Sequence, residues 1–262
     1  QRITIPINFW FGPVNLWAQR TTIEGMTVYL LNSGNPQIFV EPYGAHIKGD
    51  ERAYERTILE FIESVLLSQG SLELLMRMNK RPGIIHTHDH HTALVTRMMR
   101  TIYAEYFEQI GNVFTVHNIG YQGQYPAQFA GALDPRLRPQ DLIVDGALNL
   151  MSAVPLTAAE QPAGRGHFAN AVSPTNAEEI RGGDRSVDQM FGRMGKGFTG
   201  ILNGISYQVW NPATDQYIKA NYDIREGFEK VLAAKAINKA DLLEAVSEEG
   251  DLAGFAKQPL RK

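Results

Sequence analysis

The most informative segment of this chain is PGIIHTHDHHTALV, residues 82–95. A Pro-Gly turn signal leads into a short apolar run that reads as a buried strand, and the run ends in histidines that surround Asp89. A helical pattern follows from Thr92 to about Tyr106. A strand, a polar tip and a helix in this order are typical of one unit of a parallel α/β sheet.

The same rhythm recurs downstream, at residues 112–116, at 169–172 and at 200–203. The first of these three apolar runs ends in His117 and Asn118. Ligands of open parallel sheets bind outside the carboxyl ends of the strands, so we expect these polar tips to gather at one edge. A carboxylate and an imidazole in one cleft, Asp89 and His117, suit hydroxyl orientation, proton handling or capture of a sugar.

The remaining segments predict mixed secondary structure. Residues 2–8 and 26–31 read as short strands, and residues 51–78 read as a helix that Gly70 interrupts. Ser173 to Ile180 reads as a helix entrance, in which Thr175 and Glu178 have capping-box spacing. Three further segments are predicted, a flexible surface insertion at 161–167 and two charged helices at 225–237 and 239–246.

Composition excludes several classes of function. The 262 residues carry a net charge of -3, which argues against a broad nucleic-acid footprint. The chain has no cysteine, so disulfides, thiolate nucleophiles and cysteine-based zinc sites are excluded. No stretch reaches the roughly 18 apolar residues that a membrane span needs, so no membrane partner is expected.

The histidine cluster also permits a metal-binding interpretation. His86 and His88 alternate along an extended strand, so they point to the same side and could share an ion in a metal-dependent hydrolase. Further ligands would have to come from His46, His117 or His167, of which neither His117 nor His167 has a ligand-like neighbour. The alternative for His86 is a hydrogen-bonded histidine in the core.

Four segments resemble, in family order, signatures of the bacterial glycogen synthases and plant starch synthases that use ADP-glucose. Residues 82–95 are similar to P-D-V-V-H-A-H-D-W-H-T-A-L-V, and residues 114–126 to F-T-I-H-N-x-A-Y-Q-G-x-F-P. Residues 172–180 resemble V-S-P-T-Y-A-x-E-I, and residues 200–215 resemble G-I-L-N-G-I-D-Y-x-x-W-N-P-x-T-D. The family tryptophan of the first signature is His90 here.

The resemblance implies a fold: the Rossmann-like, parallel-sheet N-terminal domain of a two-domain GT-B glycosyltransferase. We expect this domain to be incomplete, because the family's first strand with its K-x-G-G-L loop, and the whole second domain, are absent. Residues 1–222 are predicted to be part of the acceptor-side domain, and residues 223–262 a helical linker toward the missing C-terminal domain. The family's second domain supplies the Arg and Lys that neutralise the departing diphosphate.

The resemblance also implies an activity, the transfer of glucose from ADP-glucose to the non-reducing end of an α-1,4-glucan with retention. No metal or other cofactor is implied, and the implied location is the bacterial cytoplasm or a plastid. Without the second domain we expect little or no activity from the chain alone. The alternative is a glucan-binding or regulatory half-domain without catalysis.

The matched positions imply a site. Asp89 would line the acceptor side, and His117 would contact the transferred glucose while positive charge develops at its anomeric carbon. The implied substrate-binding residues are Asn118, Tyr43, His90, Tyr121, Gln122 and Gly123. For residues 121–123 the alternative is a folded turn that only shapes the loop, and for Trp210 core packing is favoured over a sugar platform.

Overall fold

The computed structural model describes residues 2–9, 12–35, 38, 53–156 and 166–248. The chain forms two compact units, Gln1–Leu202 and Asn203–Lys262. The predicted division after residue 222 concerns the domains of a longer enzyme, and it remains a prediction. Tyr43 and His46 lie outside the described residues.

The first unit opens with a three-stranded antiparallel sheet: β1 (Arg2–Phe9), β2 (Gly12–Ile23) and β3 (Met26–Ser33). The two predicted strands are present, and β2 was missed. Glu24 and Gly25 both have positive φ, 50° and 79°, which is the geometry of a tight turn between β2 and β3.

A long helix, α1 (Ala53–Arg77), packs on this sheet and runs straight through Gly70. The prediction that Gly70 interrupts the helix is wrong. A Cβ at Gly70 would lie 2.8 Å from Leu16 Cδ1, so the glycine is where the helix approaches the sheet most closely. The tertiary contact outweighs the roughly 1 kcal/mol that glycine costs inside a helix.

The parallel part begins with β4 (Ile84–His88), a 3-10 turn (His90–Thr92), α2 (Ala93–Met98), α3 (Ala104–Phe107) and β5 (Gly111–Val116). A small antiparallel sheet follows, of β6 (Gln124–Pro126), β7 (Ile143–Val144) and β8 (Ala147–Asn149). Next come β9 (His167–Ala171), α4 (Pro174–Arg181), α5 (Ser186–Gly192) and β10 (Phe198–Gly200). Further 3-10 turns are Ala127–Ala132, Pro135–Leu137, Pro139–Leu142, Leu150–Ala153, Gly195–Gly197 and, in the second unit, Ile224–Glu226.

The main sheet has the order β10-β9-β5-β4, and all of its strands are parallel. This confirms the predicted parallel α/β architecture. The single helix predicted from Thr92 to Tyr106 is instead α2 and α3, joined by a turn. The capping residue of α4 also differs from the prediction, because Ser173 Oγ, rather than Thr175, accepts the hydrogen bond from the N–H of Asn176 at 3.0 Å.

One face of the main sheet is buried, and the other is buried at Thr115 and Asn170 but exposed elsewhere. Phe114 and Val116 of β5 are fully buried, and with Ala169 and Ala171 of β9 they form the core side. On the opposite face Ile84 is 61% exposed and Phe168 is 52% exposed. The expectation of a buried strand at 84–86 therefore holds for only one side of β4.

His167 corrects another expectation. The sequence predicts a surface insertion that includes His167, yet this residue starts β9, is buried, and donates from Nε2 to the carbonyl of Val154 at 2.7 Å. Burial, with a contribution from Arg100, lowers the pKa of His167 to about 4.

The second unit consists of an irregular segment followed by α6 (Phe228–Glu248). The two helices predicted at 225–237 and 239–246 form one continuous helix. Asn238, between them, stays helical and uses its side chain to bond both the N–H and the C=O of Ala220. Trp210 is 67% exposed, so the expectation of core packing is wrong. Within the described ranges, no helix combines the length and apolar character that crossing a membrane requires.

Candidate functional site

The site lies where β4 and β5 end side by side. His88 pairs with Thr115 in the parallel register, so the residues that follow each strand emerge at the same edge. The N–H of Asp89 donates to the carbonyl of Thr115 at 3.1 Å, and Asp89 Oδ1 accepts from the N–H of His117 at 2.9 Å. The structure thus brings together the two residues that the sequence placed in one cleft.

Asp89 adopts a backbone conformation that is uncommon for a residue with a side chain. Its φ is 54° and its ψ is -179°. The turn is fixed by Thr92, whose Oγ1 accepts from the N–H of His88 at 2.8 Å and donates to the His88 carbonyl at 2.6 Å. A strained backbone that is held by several hydrogen bonds is a common feature of functional sites.

A row of imidazoles leads along the exposed face to this edge. The rings of His86 and His88 are 4.3 Å apart, and His88 Nδ1 lies 3.1 Å from His117 Nε2. Burial lowers the pKa of His88, and the neighbouring His86 and His117 lower it further while Asp89 opposes them. A lowered pKa favours the neutral form of His88, whose Nδ1 can donate to or accept from His117 according to its tautomer.

His86 is exposed, which corrects the expectation that it belongs to the core. Its hydrogen bonding was expected, and His86 Nε2 lies 2.7 Å from Thr115 Oγ1. Thr115 Oγ1 also lies 2.8 Å from Asn170 Oδ1, as donor to that oxygen. Thr115 and Asn170 were not singled out from the sequence, because a threonine and an asparagine inside strands carry no distinguishing spacing.

The loop after His117 is a tight turn. Asn118 Oδ1 accepts from the N–H of Gly120 at 2.9 Å, and the side chains of His117 and Asn118 are exposed. Gln122 is buried, donates to the carbonyl of Ile119 at 3.1 Å and accepts from Asn149 Nδ2 at 2.7 Å.

Of residues 121–123, Tyr121 alone presents an exposed side chain, at 48%. Gly123 has a φ of 64°, and a Cβ there would lie 2.9 Å from the Cβ of His90. The structure therefore shows a loop-shaping role for Gln122 and Gly123, and the prediction that they bind substrate remains a prediction.

His90 points away from the exposed edge, toward α1. It is 2% exposed, with Nε2 3.2 Å from Glu60 Oε1 and Nδ1 3.2 Å from the carbonyl of Tyr121. The hydroxyl of Tyr125 donates to the same Glu60 oxygen at 3.3 Å. Both ring nitrogens of His90 therefore face protein oxygens, and the predicted contact of His90 with substrate remains a prediction.

Glu60 is the residue of this cluster that the sequence analysis missed. The available signal was an acidic residue on the apolar side of α1, next to Phe61 and Ile62. A pocket of about 280 Å³ is lined by Glu60 and His90 together with Thr57, Gly120, Tyr121, Gln122, Gly123, Gln124 and Tyr125.

The candidate metal ligands also differ from those predicted. Among the described residues, ligand atoms of one group of three converge to within 4.8 Å of one another, and the group is Glu60, His90 and His91. His86 and His88 share a side as expected, but they face Thr115 and His117.

Comparison with known proteins gives one family. Residues 2–203 match the family described as the starch synthase catalytic domain. The glycogen synthase of Thermotoga maritima is 33% identical over 204 residues, which cover 74% of this chain and 39% of that protein. The glycogen synthase of Geotalea daltonii is 33% identical over 249 residues, covering 92% of this chain and 48% of that protein.

A solved structure agrees with these relatives. The catalytic domain of starch synthase IV from Arabidopsis thaliana, bound to ADP and acarbose, has a TM-score of 0.65 and 27% sequence identity to this chain. The match covers 94% of this chain and 47% of that one. The chain thus spans less than half the length of each protein compared here.

Proposed function

Because the chain belongs to the starch synthase catalytic-domain family, we propose that it forms the acceptor-side part of a retaining glucosyltransferase. The whole enzyme would transfer glucose from ADP-glucose to the non-reducing end of an α-1,4-glucan. The observation that carries the proposal is the contact between Asp89 Oδ1 and the N–H of His117, 2.9 Å apart at the edge where two parallel strands end.

Two groups at this edge have the chemistry that the transfer needs. His117 is linked through Nε2 to His88, so its exposed ring is held in place to bind a hydroxyl of the transferred glucose. Asp89 Oδ2 accepts no hydrogen bond from the described residues, so that oxygen can accept one from a sugar hydroxyl. A carboxylate on the acceptor side, hydrogen-bonded to the backbone of His117, also favours the positive charge that develops at the anomeric carbon.

The neutral state of His88 also suits the stabilisation of positive charge on the transferred glucose. A charged row of three imidazoles would repel the developing positive charge, whereas the lowered pKa of His88 keeps the middle ring uncharged near neutral pH. Asn118 follows His117, and its side-chain oxygen accepts a hydrogen bond from the N–H of Gly120. In this proposal its amide nitrogen donates a hydrogen bond to the sugar. Tyr121 is the proposed aromatic contact of this loop.

The donor is proposed as ADP-glucose. The starch synthase IV structure, which this chain resembles, is bound to ADP and acarbose. Diphosphate departure requires fixed positive charge, which is often the largest catalytic contribution. The proposed source of that charge is the second domain of the family, so glucan binding and glucose transfer are tested separately.

The first test measures glucan binding by the 262-residue chain in native gels that contain glycogen. We expect glycogen to retard the chain, and we expect His117→Ala and Asp89→Ala to weaken the retardation. Chain that migrates equally with and without glycogen would contradict the acceptor-side assignment.

The second test measures transfer of labelled glucose from ADP-glucose to glycogen. We expect no transfer by the chain alone, and transfer when the chain is preceded by the first strand and K-x-G-G-L loop of the Geotalea daltonii enzyme and fused to the C-terminal half of that enzyme. His117→Ala in the fusion should reduce transfer by at least about 100-fold, the usual scale for a transition-state contact. Glucan binding without transfer by the fusion would favour a glucan-binding function instead.

A further inference from the structure

We propose that Glu60, His90 and His91 form a binding site for a divalent transition-metal cation of the Zn²⁺ class. The three residues supply one carboxylate and two imidazoles whose ligand atoms lie within 4.8 Å of one another. The rings of His90 and His91 are 3.8 Å apart and inclined by 33°, so neighbouring residues of one 3-10 turn present both imidazoles together. This site plays no part in the proposed glucose transfer.

The hydrogen bonds of His90 supply the first argument. Its two ring nitrogens both face oxygens that accept hydrogen bonds, the carbonyl of Tyr121 and the carboxylate of Glu60. A neutral imidazole has a single N–H, so one of the two contacts needs another positive partner. Metal-binding histidines typically donate the N–H of the second nitrogen to a backbone carbonyl, which is the contact that Nδ1 makes with Tyr121.

Distance supplies the second argument. Two ligand atoms that each lie 2.0–2.1 Å from a tetrahedral zinc ion are separated by about 3.3 Å. His90 Nε2 and Glu60 Oε1 are 3.2 Å apart, so a cation can bind both with almost no movement of either side chain. The competing arrangement is a second proton on His90, and the experiment distinguishes the two.

The surroundings suit an ion. Glu60 is 5% exposed, and a buried carboxylate beside two imidazoles can bind a cation strongly because little water competes for it. The hydroxyl of Tyr125 donates to Glu60 Oε1 at 3.3 Å and orients the carboxylate. The adjoining pocket of about 280 Å³, lined also by Gln124, has room for a water molecule as a further ligand.

The chemical class follows from the ligands. Two imidazoles and one carboxylate suit Zn²⁺, Co²⁺, Ni²⁺ and Cu²⁺, whereas Mg²⁺ and Ca²⁺ prefer sites built from oxygen alone. Gly123 contributes through its missing side chain, because a Cβ there would lie 2.9 Å from the Cβ of His90 and push the loop that carries the Tyr121 carbonyl away.

The experiment titrates ZnCl₂ into the chelator-treated 262-residue chain by calorimetry. We expect one Zn²⁺ per chain, and at least about tenfold weaker binding in His90→Gln and in His91→Gln, because even the loss of an outer-shell partner costs that much. The matched control is the double variant His86→Ala/His88→Ala, which removes two exposed imidazoles and should bind zinc as the unaltered chain does.

Three results would overturn the proposal. They are a chain that binds no zinc, an unchanged affinity in His90→Gln, or a loss of binding in the His86/His88 control.

A second measurement tests the site without the His90→Gln variant, in case that variant does not fold. The unaltered chain is then loaded with Co²⁺, and we expect intense visible bands of a tetrahedral site that zinc abolishes. Weak bands of a hydrated octahedral ion would count against the site. Glycogen retardation of the same samples tests the proposed function independently, since it should not depend on zinc.

Discussion

The carboxylate of Asp89 lies 2.9 Å from the backbone N–H of His117, although 28 positions of sequence separate the two residues. The contact joins the ends of two neighbouring parallel strands, and Asp89 holds a positive φ of 54° to make it. The hydrogen bond and the backbone of Asp89 together define the shape of this edge of the sheet.

Two substitutions of Asp89 should distinguish the contribution of its hydrogen-bond acceptor from that of its negative charge. We expect Asp89→Asn to change the free energy of unfolding by less than about 1 kcal/mol, because asparagine keeps the acceptor and tolerates positive φ. Asp89→Ala should cost about 1–3 kcal/mol, since it loses the hydrogen bond and retains the strained backbone. Urea unfolding of both variants provides the comparison, and equal losses would argue against this explanation.

Gly200 should tolerate no side chain. A Cβ there would lie 2.2 Å from the carbonyl oxygen of Ser173 and 2.4 Å from Pro174 Cα, both of them backbone atoms. We expect Gly200→Ala to destabilise the chain by about 3 kcal/mol or more. Gly131→Ala is the matched control, because no atom lies within 4 Å of its Cβ position, and it should shift thermal unfolding little. Similar melting temperatures for the two variants would contradict the close approach.

His167 should make stability depend on pH in the acid range. Burial lowers its pKa to about 4 in the folded chain, against about 6.5 when unfolded. The group is neutral when folded, so its contribution is complete above pH 6.5 and is lost as the pH falls toward 4. The loss should approach about 3 kcal/mol.

His167→Gln provides the control for this dependence, because glutamine can still donate to the carbonyl of Val154 but does not titrate. Urea unfolding at pH 7 and at pH 4.5 measures both proteins. We expect the difference between the two pH values to be smaller in the variant. Equal differences would show that His167 does not carry the effect.

His88 should titrate below the usual range of histidine. Burial, His86 and His117 lower its pKa, and Asp89 raises it. In NMR titrations we expect His117→Ala to raise the pKa of His88 and Asp89→Asn to lower it further. Shifts in the opposite directions would mean that the charges of these neighbours do not act on His88 as described.

Local patterns were sufficient to predict the parallel sheet and the edge at which Asp89 and His117 meet. The strand, polar tip and helix that follow Pro82 form a continuous unit, and so do the residues around His117, so each could be recognised within a dozen positions. Parallel pairing then determines that Asp89 and His117 meet. The roles of individual site residues remain predictions.

Errors arose where a distant segment decides the outcome. Gly70 is a type of residue that often interrupts a helix, but here it lets α1 pack closely against Leu16 of β2. The substrate contact implied for His90 remains a prediction, but its ring lies against Glu60, 30 positions away, a partner that the local sequence does not reveal. Trp210 is large and apolar, a type of residue usually found in the core, yet it is exposed.

The main sheet carries Ile84 and Phe168 on a face that water reaches. Parallel sheets are normally covered by helices on both sides. Anything that binds this face only when the sheet is folded will raise the free energy of unfolding by mass action. A melting temperature measured on the dilute chain is therefore a lower limit for the same sheet once that face is covered.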